Sequence, residues 1–145
     1  MERTRVLLVD SDEVLLEALP GTLGLWLPDA VIDTCASSRS ALASLTRIDY
    51  DLIISELKLT GMDGLALLGQ VKHRRPRTPF IILTGFGDAV LARQAYEAGA
   101  YDVLFKPVER HVLLRSVRQA IAMRRFSSDA RHWLSGRPYP SYQHV

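Results

Sequence analysis

Apolar residues in this chain gather into five short runs, each followed by a polar turn and then by a longer stretch in which apolar positions recur three or four apart. Runs rich in branched aliphatics suit strands covered on both faces, and the recurrence after them suits helices that lay one apolar stripe on a sheet. The first run is Thr4–Val9, followed by the acidic cluster Asp10-Ser11-Asp12-Glu13 and a helical segment from Asp12 to Leu27. Pro20, Gly21 and Gly24 interrupt that segment. A proline inside a helix removes one backbone hydrogen bond and crowds the preceding turn, which predicts a kink or a break there. Val31–Ala36 is a second strand, and Ser38 is placed to cap a helix that runs to about Ile48. Asp51–Ser55 is the third strand, with a helix from about Gly64 to Arg74. Pro79–Thr84 is the fourth, followed by the loop Gly85-Phe86-Gly87-Asp88 and a helix from Ala89 to Ala98 that Gly99 is placed to terminate. Tyr101–Phe105 is the fifth, then Lys106-Pro107 as a loop and a last helix from Glu109 to about Arg125.

Five strand–helix alternations with short connections predict an α/β fold, a parallel sheet covered on both faces through right-handed crossovers. A flavodoxin-like strand order, 2-1-3-4-5, is one of the two common solutions and places a cleft at the carboxyl ends of strands one and three. Those ends are Asp10 and Glu56. Glu56 follows the near-continuous apolar run Leu52-Ile53-Ile54, so its carboxylate sits where α/β sheets carry their chemistry.

Composition narrows the picture. The 145 residues, 48% hydrophobic and 23% charged, suit one ordinary soluble domain with a full core and exclude a disorder-dominated chain. No apolar stretch approaches the roughly 18 to 20 residues that span a bilayer, and Met1 to Arg5 lacks a signal-peptide core, so a cytoplasmic location is expected. The single cysteine, Cys35, has no internal disulfide partner and reads as a buried thiol. The net charge of +2 divides unevenly: from residue 124 onward Arg124, Arg125, Arg131 and Arg137 face only Asp129, giving +3 there and −1 before it. The expected organisation is therefore a domain over residues 1–123 and a basic, aromatic tail over 124–145, extended or partly disordered, with Trp133 and Leu134 as candidates for one extra turn. A near-neutral domain gives no reason to expect a nucleic-acid footprint. His73, His111, His132 and His144 lack metal-ligand spacing. Ser11, Ser55 and Thr84 have no adjacent histidine base for nucleophilic hydrolysis, and the glycines form no phosphate-cradling motif.

The stretch Asp51-Leu52-Ile53-Ile54-Ser55-Glu56-Leu57-Lys58-Leu59-Thr60-Gly61-Met62-Asp63-Gly64 resembles the phosphoacceptor segment of response-regulator receiver domains, where a strand ends in aspartate ahead of a Pro-Gly-Met-Asp-Gly-type turn. The resemblance extends over about Arg3 to Met123. It makes Glu56 the residue at the phosphoacceptor position, with one methylene more than aspartate and its carboxylate about 1.5 Å further out, a displacement of the order that costs about a hundredfold in rate. In the family, two acidic residues after strand one hold Mg²⁺ together with the acceptor and a backbone carbonyl. The matching positions are Asp10, Ser11 and the carbonyl of Lys58, so the metal site would comprise Asp10, Glu56 and Lys58 with serine replacing a carboxylate ligand. Mg²⁺ tolerates distorted oxygen ligation poorly, and only weak binding is expected. Asp12 either compensates or serves as a helix N-terminal charge, the reading preferred. Lys58 either reaches back toward Glu56 or stays in solvent, and solvent is preferred.

Thr84 and Lys106 match the hydroxyl residue and the lysine that contact the phosphoryl group in the family, and the resemblance implies a cis bond before Pro107. Lys106 also has a structural explanation, since it would balance two buried carboxylates. The switch position, three residues before the lysine and usually aromatic, is Val103. Tyr101 is aromatic and expected on the same strand face. The function expected is a stand-alone, atypical receiver in two-component signalling. It would have no enzymatic role and would bind a histidine kinase or downstream effector through helix four, strand five and helix five, the face on which the family commonly forms homodimers. Glu56 would mimic a phosphoaspartate in part, bringing one charge where a phosphoryl group brings up to two. The alternatives are a receiver that still accepts phosphate and a fragment of a DNA-binding regulator.

Overall fold

The computed structural model describes residues 3–134, with side chains to Phe126. Its elements run β1 (Arg5–Val9), α1 (Glu13–Trp26), β2 (Val31–Cys35), α2 (Ser38–Leu45), β3 (Leu52–Ser55), α3 (Gly64–Arg74), β4 (Phe80–Thr84), α4 (Ala89–Glu97), β5 (Asp102–Phe105) and α5 (Arg110–Leu134). All five strands are parallel, in the order β2-β1-β3-β4-β5. Alternating strand residues supply two cores. Leu7, Val9 and Ile53 meet α2, α3 and α4 through Ala41, Leu45, Leu67, Leu68, Val71 and Ala95. Val6, Leu8, Leu52 and Ile54 meet α1 and α5 through Leu23, Leu113, Val117 and Ala120. The central strands β3 and β4 are buried at every position, which is why they read as unbroken apolar runs.

Helix starts follow side-chain chemistry. The carboxylates of Asp12, Asp63 and Asp88 each accept backbone N–H groups of the first turn of α1, α3 and α4. α2 is capped by Ser37, not Ser38: the Ser37 hydroxyl accepts from Ser40, while Ser38 is buried with its hydroxyl donating to the Thr60 carbonyl at 3.4 Å. α1 continues through Pro20 without a break, its remaining bonds and the burial of Leu23 outweighing the one bond proline removes. α4 ends in a Schellman motif, with Gly99 at φ +106° and bonds from Gly99 to Tyr96 and from Ala100 to Ala95.

α5 is longer than its expected end near Arg125. No glycine or proline occurs between Pro107 and Gly136, so nothing in the backbone chemistry stops the helix, and an extended chain from residue 124 gives way to helix as far as Leu134. Residues 135–145 of the expected tail lie outside the described residues. Arg124 pins α5 to the amino edge of the sheet, 2.8 Å from Asp49, 3.3 Å from Asp51 and 3.0 Å from the Thr78 hydroxyl. No helix among the described residues is long and apolar enough to cross a membrane.

Candidate functional site

Register brings the site together at the opposite, carboxyl edge. Val9 pairs with both Cys35 and Ser55, so β1 and β3 stop side by side and Asp10 and Glu56 follow as neighbours, both buried. β4 ends at Thr84 and β5 leads into Lys106, whose bond to Pro107 is cis. The Lys106 ammonium lies between the two carboxylates, 2.8 Å from Asp10 Oδ2 and 3.1 Å from Glu56 Oε1. Glu56 Oε1 also accepts from the Gly85 N–H at 3.4 Å, and Oε2 accepts from the Leu57 N–H. Burial pushes the Glu56 carboxyl up, but the Thr84 hydroxyl, the Leu57 N–H and Lys106 together outweigh it and hold the group below its ordinary range. For Lys106, burial pulls the ammonium down while Asp10 and Glu56 raise it further, to a net increase. The site therefore holds an ionised Glu56 beside a charged lysine. Thr84 is fully buried, and its Oγ1 accepts from Phe86 N–H at 3.0 Å.

Of the acidic pocket expected from Asp10, Ser11 and Asp12, only Asp10 faces Lys106. Ser11 is exposed. Asp12 spends its carboxylate on the Val14 and Leu15 N–H groups at the start of α1 and gives its own N–H to Asp10 Oδ1 at 2.9 Å. Lys58 is exposed, as preferred, and its ammonium stands 5.5 Å over the Phe86 ring, a cation–π contact that joins the loops after β3 and β4. Val103 is buried, lining with Thr84, Leu91, Ala95 and Phe105 a crevice too tight to hold a water molecule. Tyr101 does not share the face of Val103: it precedes the first residue of β5 and packs with the α1–α5 core, whereas Val103 belongs to the other.

The Mg²⁺ donor set fits poorly. Of the carboxylates the resemblance implies, Asp10 and Glu56 are both engaged by Lys106, and the third is replaced by the exposed Ser11. Among the described residues no three acidic, histidine or cysteine side chains cluster as a metal site. Cys35 is buried, its thiol raised by desolvation, and takes no part.

Sequence reasoning placed Gly64 only as a helix start. Its backbone is pressed against the acceptor position: a Cβ there would lie 2.5 Å from the Glu56 carbonyl oxygen and 2.8 Å from Leu57 Cα. The Gly64 N–H donates to the Leu57 carbonyl at 2.7 Å, closing the loop. The glycine at the end of the Thr60–Gly64 turn was the visible signal; the contact that demands it was not.

Residues 6–118 match the model of the response regulator receiver domain. The chain is 37% identical over 126 residues to the C4-dicarboxylate transport transcriptional regulatory protein DctD of Rhizobium meliloti (strain 1021), covering 87% of this chain and 27% of that protein. It is 38% identical over 123 residues to the DNA-binding transcriptional regulator NtrC of Escherichia coli (strain K12), covering 84% and 26%. This chain thus spans about a quarter of the length of these relatives. Among solved structures, the signal receiver domain of an HD domain-containing protein from Pseudomonas fluorescens Pf-5 superposes with a TM-score of 0.82 at 34% identity, covering 89% of this chain and 94% of that one. NtrX from Brucella abortus superposes with a TM-score of 0.80 at 26% identity, covering 88% and 29%. With its strand order, its converging carboxyl-edge residues and this family match, the chain belongs to the response regulator receiver domain family.

Proposed function

We propose that this receiver signals through protein binding with Glu56 held as a standing substitute for a phosphorylated acceptor, and that it acts as a binding module, not as an enzyme. The observation that carries the reading is the Lys106 bridge: one ammonium bonds Asp10 and Glu56 together and offsets one of their two negative charges from within the chain. The exposed Ser11 and the valine at position 103 support it, since a carboxylate and an aromatic ring that the family carries there are both replaced while Thr84 and Lys106 remain. The surface offered to a histidine kinase or downstream effector is α4–β5–α5, where Val90, Tyr96 and Phe105 expose apolar area.

Incubation with Mg²⁺ and acetyl phosphate, followed by intact mass, tests it. The natural chain gains no phosphoryl mass, whereas the double variant Ser11→Asp with Glu56→Asp does. Phosphorylation of the natural chain that Glu56→Gln abolishes would sink the proposal in favour of a receiver that still accepts phosphate. A second reading draws on the relatives DctD and NtrC, whose names describe transcriptional regulators: the receiver controls a DNA-binding protein. In that case salt-dependent DNA retardation belongs to the other parts of such a protein, and this chain alone retards none.

A further inference from the structure

We propose that the outer face of α1 is a self-association surface, on which a second copy of this chain packs its own α1 antiparallel about a twofold axis. The two most exposed large apolar side chains among the described residues both belong to this helix, Leu25 at 81% and Val14 at 74%. Between them Ala18 and Gly21 are exposed as well. At about 100° per residue the four positions fall within roughly 60° of arc, in the 4-3-4 spacing of a helix–helix seam. Among the described residues, nothing outside its own stretch of helix comes within 4 Å of a Cβ added at Gly21. From Leu19 to Pro28 the sequence carries no charge, so the second half of α1 lacks the solvated face a surface helix normally keeps.

The occupant follows from symmetry and charge. The order large, small, small, large reads almost the same in either direction, and antiparallel pairing sets Val14 against the partner's Leu25 and Ala18 against the partner's Gly21. Small residues then meet at the crossing, where two backbones approach most closely. Glu13 and Glu17 lie on the flank of α1 that also carries Leu27, and Leu27 borders a groove on α5 lined by Arg118, Ile121, Ala122, Arg125 and Phe126. The twofold carries the glutamates of one copy to the opposite end of the partner's α1, beside that arginine-rimmed groove. Acidic and basic ends are thus complementary in both halves of one isologous interface. The face is small, which places the dimer at the weak, concentration-dependent end of specific association.

Sedimentation equilibrium of the full chain, from low micromolar to near-millimolar protein, reads this directly. The weight-average mass should rise from one chain toward two, and Leu25→Glu, whose side chain lies in solvent and whose fold circular dichroism would verify, should hold it at one. Glu17→Arg and Arg118→Glu should each weaken dimerisation at least fivefold, and the two together should restore most of it. Tyr96→Glu, on the α4–β5 side, should leave it unchanged. A chain that is monomeric throughout overturns the proposal, as does a dimer that Tyr96→Glu disrupts and Leu25→Glu does not. A charge-swapped pair that fails to restore association removes the antiparallel arrangement.

Discussion

Replacing Lys106 by methionine keeps most of the side chain's bulk and removes one charge from between two carboxylates whose side chains are 4% and 7% exposed. Removing one partner of a buried ion pair costs about 3 to 5 kcal/mol, because the remaining charge is left uncompensated. Here the loss has a ceiling set by titration, since one of the two carboxyls can take up a proton instead. From an ordinary glutamate value of 4.5, that uptake costs at pH 7 about 3.4 kcal/mol at about 1.4 kcal/mol per pH unit, and at pH 5 about 0.7 kcal/mol. The variant should therefore lose about 3 kcal/mol relative to the natural chain at pH 7 and about 1 kcal/mol at pH 5, the residue at low pH reflecting lost hydrogen bonds. Urea unfolding of both proteins across that range, with slopes compared to verify two-state behaviour, measures the difference. A gap below about 1 kcal/mol at pH 7, or one that does not narrow on acidification, would show that Lys106 does not offset the charge of a buried acidic pair, and would refute this account of the edge.

Three further outcomes are expected. Gly64→Ala should destabilise by about 2 kcal/mol or more in thermal or urea unfolding, since its new methyl meets backbone atoms that cannot rotate away and overpacking of this kind outweighs any helix-propensity gain. Asp12→Ala should cost about 1 kcal/mol through the lost α1 cap while leaving Mg²⁺ affinity, followed by Trp fluorescence, unchanged; a large fall in Mg²⁺ affinity would make Asp12 a ligand after all. In the natural chain, the lowered Glu56 group contributes stability that is present above its ordinary 4.5 and disappears as pH falls through its folded value, whereas the raised Lys106 contributes stability present below its ordinary 10.5 and lost as pH rises through its folded value. Stability against pH should thus form a plateau between these limits, and Glu56→Gln should flatten its acid shoulder.

The sheet was legible because burial on both faces leaves unbroken apolar runs, and strand ends were legible because Asp10, Glu56, Thr84 and Lys106 are polar residues that close such runs. Asp12 at the start of α1 and Gly99 at the end of α4 announced themselves through chemistry acting within a turn. What escaped depends on distance or on balance. Whether Ser37 or Ser38 caps α2 turns on the Thr60 carbonyl, which lies far along the chain but near in space. Pro20 lowers helix stability locally, and only the packing of Leu23 decides that the helix survives. Tyr101 sits two residues from Val103, but the alternation that would align them holds only inside a strand, and β5 begins at Asp102. At the site, sequence already assigned Asp12 to the start of α1 and Lys106 to both carboxylates; what it missed was the Lys58 contact with Phe86, which depends on two loops meeting in space.

The contact between Gly64 and the Glu56 peptide has a mechanical meaning. Loop 57–64 leaves the acceptor position and returns to touch it, so the two ends of the loop are hydrogen-bonded with no room between them for a side chain. Glu56 cannot shift its backbone without lifting the first turn of α3, and a force applied to the exposed crest at Thr60 and Gly61 is delivered to the carboxyl edge as displacement, not absorbed as bending. The loop is a stiff handle on a buried residue, tying the position of Glu56 to that of an exposed turn.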